Sequence, residues 1–491
     1  MKTKKFTILH SNDMHGDFLA ESRGVEGKLI GGLALLSGYI NQVRKEEENV
    51  LYLISGDMVQ GSTIDSEYRG ISTIEIMNYL APDVVTLGNH ELDYGLPHLL
   101  FLEKMANFPI VNANLYIRKY NKRLMQPYLI IKKAGFDILF IGIVTEAVLA
   151  ALKMDSDIAT FISLEEAGKE VGKICNAYKD QDIDLTILLT HIGFEADKEL
   201  AAMLKSEWGV DMIIGGHSHT LLEQPVVVNN ILISQAGTGT DQVGRFDILV
   251  DDDTNSIVEW QWKLLTIDNA LARPDVELQK YIDSFKEAVD RKYNTIITKF
   301  ARQLTHPRRE VETELGNLFA DISVERAQVD VVLLGAGSIR KPQLGPLVTL
   351  GDLKAIFPYD DALIKCTVTG AQLKAIFAHI MRPENRRGDG ECYQVNKGVK
   401  AAYDNAKHAL ESLTLNGQPV QDERQYTIAM QAYHYKNSEK NLGQSNDALN
   451  KIETYQVIAT STQDILEEYL RRHQNLKSEV EGRLEYNPPA G

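Results

Sequence analysis

The sequence predicts an α/β domain followed by a separate α+β domain, and three observations carry that prediction. Through the first half, short β-branched runs that end in polar knots alternate with helical stretches. Beyond about residue 300 the pattern shifts to longer helices broken by polar insertions. The 491 residues also exceed what one hydrophobic core organises, since domains settle at about 100 to 200 residues.

In chain order the runs are KFTILHSNDMHGD, VLYLISGDMVQG, DVVTLGNHELDYG, DILFIGIVTEA, DLTILLTHIGFEAD, DMIIGGHSHT and ILISQAGTGTD. Buried strands read as continuous apolar stretches of this length, and helices such as GGLALLSGYINQVRKEEEN alternate with them. The polar knots then fall at the carboxyl ends of strands, where open α/β sheets bind ligands. VGRFDILVDDDTNSIVEWQWKLLTI reads as a hairpin turning at Asp251 to Asn255, which closes a first domain over residues 1–270. Leu278, Tyr281, Ile282, Phe285 and Val289 follow helical spacing and predict an interdomain helix within 271–299. A second domain is expected over 300–485, closing near residue 480 before a frayed LEYNPPAG tail, with polar insertions around MRPENRRGDGE and HYKNSEKNLGQSND.

A net charge of −16 argues against a protein that coats nucleic acid, because polymer binding relies on a basic field. With 44% hydrophobic residues and no apolar run near the roughly 20 residues of a membrane span, no membrane segment is expected. MKTKKFTILH has too short an apolar stretch for a signal peptide. Cys175, Cys366 and Cys392 are few and far apart, so neither a disulfide framework nor a thiolate zinc cluster is indicated. These points predict a cytoplasmic protein, with no protein partner implied.

Seven of the twelve histidines precede residue 220, and five of them sit in the polar knots beside Asp or Asn. The candidates are Asp13, His15, Asp57, Asn89, His191, His217 and His219, with His90 and Asp93 next to them. Seven oxygen and nitrogen donors without thiolate exceed one tetrahedral zinc and suit two metals sharing a carboxylate. A single Asp after a strand is more often a helix cap than a ligand, and Asp93 could cap the helix begun by YGLPHLL. The ordered set, each member at a strand end, points instead to a hydrolytic centre.

HSNDMHGD, ISGDMVQGS, LGNHELDYG, LTHIG and GGHSHT resemble the successive motifs of calcineurin-like metallophosphatases. Within them the chain is similar to the 5'-nucleotidase family, which includes UDP-sugar hydrolases and 2',3'-cyclic nucleotide phosphodiesterases. The resemblance implies a four-layer α/β/β/α sandwich followed by a substrate-binding C-terminal domain. It implies that Asp13, His15 and His219 hold one divalent ion and Asn89, His191 and His217 another, with Asp57 between them. Zinc, manganese, cobalt and iron all suit such a donor set. His90 would stabilise the leaving oxygen and Asp93 would orient it, whereas Glu91 is left with a local turn or capping role.

In the second half the resemblance places Arg309, Arg340, Tyr359 and Tyr433 at the substrate, two cations for anionic groups and two rings for a base. Gly335 and Asp361 stand where the family pattern has Asn, and its Gly-Gly-Asp-Gly segment is missing. The expected activity is release of phosphate from a nucleoside 5'-monophosphate or similar small nucleotide. The alternatives are cyclic-diester or pyrophosphate hydrolysis, a metal-loaded nucleotide-binding protein with little turnover, and a structural zinc protein.

Overall fold

The computed structural model describes residues 3–22, 27–120, 122–145, 159–386 and 391–487. The chain forms two compact units, Met1–Val289 and Asp290–Gly491.

The first unit holds strands β1 (Thr3–Ser11), β2 (Val50–Ser55), β3 (Val84–Thr86), β4 (Ile110–Val111), β5 (Tyr128–Lys133), β6 (Phe136–Val144), β7 (Leu185–His191), β8 (Met212–Ile214), β9 (Val226–Val228), β10 (Ile231–Ser234), β11 (Gln242–Asp251) and β12 (Ser256–Thr266). They form two six-stranded sheets, in the orders β12-β11-β1-β2-β3-β4 and β9-β10-β8-β7-β6-β5. Alternation along each strand sends one set of side chains between the sheets. Phe6, Ile8, Leu51, Leu53 and Val84 of the first sheet meet Phe136, Phe140, Leu185 and Met212 of the second there. The opposite faces carry helices: Leu188 and Ile213 pack under Val171 and Ile174 of the helix Leu164–Ala177 and Leu200 of the helix Phe194–Met203. This is the four-layer sandwich.

Pairing aligns the strand ends that matter. β1 runs parallel to β2 with Ser11 opposite Ile54, and β2 to β3 with Ser55 opposite Thr86. In the other sheet Val144 of β6 faces His191, and Leu189 of β7 faces Ile214. The turns after β1, β2, β3, β7 and β8 thus emerge at the carboxyl ends of parallel strands.

The helix Val276–Tyr293, expected between the domains, is packed on the first unit for most of its length. Leu278 and Ile282 are fully buried, Tyr281 donates to Glu75 at 2.7 Å, and Phe285 meets Tyr68 edge-on. Among the described residues no helix is long and apolar enough to cross a membrane.

His10 lies in β1 stacked against Trp262 and Phe246, with no exposed surface. Burial pushes its pKa down to about 3. The folded chain therefore keeps His10 neutral while the unfolded chain protonates it below about 6.5. Stability from this residue is complete above pH 6.5 and falls at about 1.4 kcal/mol per pH unit as pH drops toward 3. His10→Gln, which takes up no proton, is expected to flatten the dependence of melting temperature on pH in that window, read by calorimetry on metal-free protein.

The second unit is built on a five-stranded sheet containing Tyr393–Val395, Val331–Gly335, Gln425–Gln431, Leu363–Thr369 and Gln456–Ala459 in that order. The helices Glu314–Ala327 and Thr462–Arg472 contribute Leu315, Phe319 and Leu466 to the core on one face. The tail departs from expectation, because Leu484–Asn487 is a strand paired in parallel with Val399–Asp404. Arg483 anchors it: only 2% exposed, its guanidinium donates to both Asp321 oxygens at 2.7 and 2.8 Å. The HYKNSEKNLGQSND stretch folds as three short helices, Ala432–Lys436, Ser438–Leu442 and Asn446–Leu449. Residues 387–390 of the other insertion and the last four of the tail lie outside the described residues.

Candidate metal centre

All seven donor residues expected from the sequence converge at the strand ends of the first unit. His15 Nε2 and His219 Nε2 are 3.1 Å apart, and His219 Nε2 is 3.3 Å from Asp13 Oδ1. Asn89 Oδ1 stands 2.7 Å from His217 Nδ1 and 3.2 Å from His191 Nε2. Asp57 Oδ2 is 3.1 Å from His191 Nε2 and 3.9 Å from His15 Nε2, between the two sets.

Backbone contacts set which ring nitrogens face the centre. His191 Nδ1 lies 2.8 Å from the Ser55 carbonyl and His15 Nδ1 lies 3.1 Å from that of Gln60, so both Nδ1 atoms carry the proton. The Nε2 lone pair of a neutral His191 then faces the Asp57 and Asn89 oxygens, three acceptors with no donor among them. Only a cation or an added proton relieves that repulsion. Electrostatics register the same demand. Burial opposes a charged imidazole at His191, but the Asp57 and Asp13 carboxylates outweigh it and raise its pKa to about 9. Burial likewise opposes the Asp57 carboxylate, yet His191 holds its pKa below the usual value. The donor set therefore fits divalent ions, and Asp13, His15 and His219, or Asp13, Asp57 and His191, each bring ligand atoms within 4.8 Å of one another.

The turns that carry these donors are strained in a way no motif displays. Asp13, His15, Asp57, His217 and His219 all have left-handed backbone, with φ of 50, 50, 52, 81 and 52°. Non-glycine residues persist there only where their surroundings over-determine them, a condition met most often at functional sites. Gly88 is needed for close approach, since a Cβ on it would lie 2.1 Å from Asp57 Oδ1.

His90 sits among the donors, a ring nitrogen within 4.8 Å of ligand atoms of His15 and Asp57, but its bond to Asp93 sets it apart. Its Nδ1–H donates to Asp93 Oδ2 at 2.7 Å, and that bond raises its pKa against the opposing effect of burial. Asp93 does not cap the next helix, Leu96–Met105, whose N-cap is Gly95. His98 bonds the Arg69 carbonyl at 2.6 Å, apart from the cluster. Glu91, read from the sequence as a local turn or capping residue, is 3% exposed and accepts the nearby Gly88 N–H, but it also accepts N–H groups of the Asp57 turn, which that reading did not foresee. Its only signal was a second carboxylate beside Asp93 in the polar GNHELD turn.

In the second unit, Arg340 lies 5.7 Å over the ring of Tyr359. Tyr359 and Tyr433 are 55% and 57% exposed, so neither is spent on the core. Asp361 accepts the Tyr433 N–H and thereby ties the two tyrosine segments together. Gly335 has a steric cause: a Cβ there would lie 2.1 Å from Nε2 of His434, a buried imidazole bonded to the Tyr393 hydroxyl. Arg309 is half-buried, and its charge acts on Glu391.

Fold and donor set together define a metallophosphoesterase. Residues 6–221 match the model of the calcineurin-like phosphoesterases, and residues 294–444 match the 5'-nucleotidase C-terminal domain. The chain thus joins a calcineurin-like phosphoesterase domain to a 5'-nucleotidase C-terminal domain, which supports a metal-dependent phosphoric ester hydrolase. It is 28% identical over 456 residues to a 5'-nucleotidase-related protein of Glossina morsitans morsitans, covering 82% of this chain and 79% of that one. A snake venom 5'-nucleotidase of Gloydius brevicauda is also 28% identical, over 82% of this chain and 74% of its own. The fold resembles that of a 5'-nucleotidase precursor from Thermus thermophilus, with a TM-score of 0.59 and 23% identity over 98% and 99% of the two chains.

Proposed function

We propose that the protein releases phosphate from nucleoside 5'-monophosphates, using two divalent ions of the zinc, manganese, cobalt or iron class. Asp13, His15 and His219 would hold one ion, Asn89, His191 and His217 the other, with Asp57 shared. The observation that carries this reading is the placement of Asp57 Oδ2 between the two donor sets, with His90 alongside. When bound, such ions supply charge that polarises the phosphate and lowers the pKa of the attacking water. His90, its charged form favoured by the bond to Asp93, would stabilise the negative charge that develops on the leaving ribose oxygen.

Arg309 and Arg340 are assigned to anionic groups of the substrate, and Tyr359 and Tyr433 to the two faces of the base. Stacking tolerates every base, whereas the Asn of the family turn is excluded here by His434. The reading therefore carries no base preference. The three cysteines are buried free thiols, which suits the reducing cytoplasm as the place of action.

The test is phosphate release from a panel of nucleoside monophosphates, cyclic nucleotides and nucleotide sugars, run with each metal and with chelator. Chelator-sensitive release from the 5'-monophosphates supports the proposal. No release from any member under any metal, or preference for the cyclic or sugar substrates, overturns it. Tyr359→Ala and Tyr433→Ala are each expected to raise KM for nucleotides about 5- to 100-fold, the effect of losing one stacking face. Turnover of p-nitrophenyl phosphate, which lacks a base, should be unchanged in both.

A further inference from the structure

Glu91 has no part in the proposed reaction, yet it occupies the junction of the two turns that do. We propose that Glu91 is a positioning residue whose carboxylate locks the Asp57 turn to the Asn89 turn, presetting both for divalent ions. Oε2 accepts the N–H of Asp57 at 3.0 Å and that of Gly88 at 2.6 Å. Oε1 accepts the N–H of Met58 at 2.7 Å, with that of Val59 at 3.4 Å. Three of these donors follow β2 and the fourth follows β3, so one side chain ties two strand ends that are far apart in sequence.

The tie acts where the backbone needs it. Asp57 is in the left-handed region, which aims its N–H and that of Met58 inward instead of along a strand or helix. Buried N–H groups need acceptors, and a carboxylate offers lone pairs enough for all four. With its backbone held from behind, Asp57 uses Oδ1 to accept the N–H of His90 at 2.9 Å. Oδ2 is thereby left facing His191 and His15. The two turns are tied twice, by Glu91 through the Asp57 backbone and by Asp57 through the His90 backbone.

A carboxamide does not substitute for this carboxylate. Glu91→Gln keeps the shape but offers one acceptor oxygen and sets an NH2 group against backbone donors. Residues that support metal ligands from behind typically account for 10- to 100-fold in affinity.

The inference rests on the two-ion reading, and the experiment separates the two. Metal-free wild type, Glu91→Gln and Glu91→Ala are titrated calorimetrically with Mn²⁺ and with Zn²⁺. Bound metal is counted by elemental analysis, and melting temperature is taken with and without metal. Wild type is expected to bind two ions, whereas both variants lose at least about tenfold in affinity and show a smaller metal-induced rise in melting temperature. If the variants melt lower without metal but bind it as tightly as wild type, Glu91 is merely structural and the inference is overturned. If wild type itself binds no metal, the two-ion reading fails whatever the variants do. Should Glu91→Ala not fold, Glu91→Gln decides alone.

Discussion

Asp57→Asn is expected to lower kcat about a thousandfold or more, roughly 4 kcal/mol of barrier, and to reduce bound metal below two ions per chain. The substitution preserves volume, and a carboxamide oxygen can still accept the His90 N–H that Asp57 Oδ1 accepts at 2.9 Å. What it removes is the one negative charge standing between the donor sets, 3.1 Å from His191 Nε2 and 3.9 Å from His15 Nε2. The other candidate donors outside Asp13 are neutral, so this position supplies half the anionic charge available to hold two dications. An NH2 group turned toward His191 would also block that direction of approach. Elemental analysis and phosphate release from a nucleoside monophosphate check the two halves separately. Two ions retained with activity lost would assign Asp57 a role in the reaction and none in holding metal.

The convergence of the candidate donors was legible because strand ends, glycines and ligand-type residues coincide in the sequence. GNHE and GGHSH carry their ligands at turns that side-chain chemistry alone makes improbable as ordinary loops. Glu91 was not legible, since its partners are the N–H groups of residues 57, 58, 59 and 88, and a backbone donor has no sequence signature. The left-handed backbone at Asp13, His15, Asp57, His217 and His219 was hidden for a related reason: glycine advertises such a conformation, and aspartate or histidine does not.

Long-range pairing hid the other features. Local composition makes the LEYNPPAG segment look frayed, because its strand depends on the bond from Arg483 to Asp321, far away in the chain. The helix Val276–Tyr293 shows its apolar stripe in the sequence, but only long-range contacts such as Tyr281 with Glu75 and Phe285 with Tyr68 reveal which unit receives it. Gly335 reads as a departure until His434 is seen filling the space its side chain would take.

His90→Ala is expected to lower kcat on a nucleoside 5'-monophosphate about 10²- to 10⁴-fold, with both ions bound and KM little changed. The ring lies among the donors, 5.3 Å from that of His15, yet its Nδ1 is committed to Asp93. On the proposed reading, a residue so held stabilises charge on the reacting oxygen and is not needed to retain metal. That stabilisation matters most when the leaving group is a basic ribose oxygen. On p-nitrophenyl phosphate, whose phenolate leaves without help, the loss should shrink to about tenfold or less. Asp93→Ala should follow the same leaving-group pattern with a smaller loss, because the imidazole remains but its orientation and charged form are less favoured. If instead either substitution stripped metal from the protein, or slowed both substrates equally, the pair would belong to the metal site and not to the leaving group.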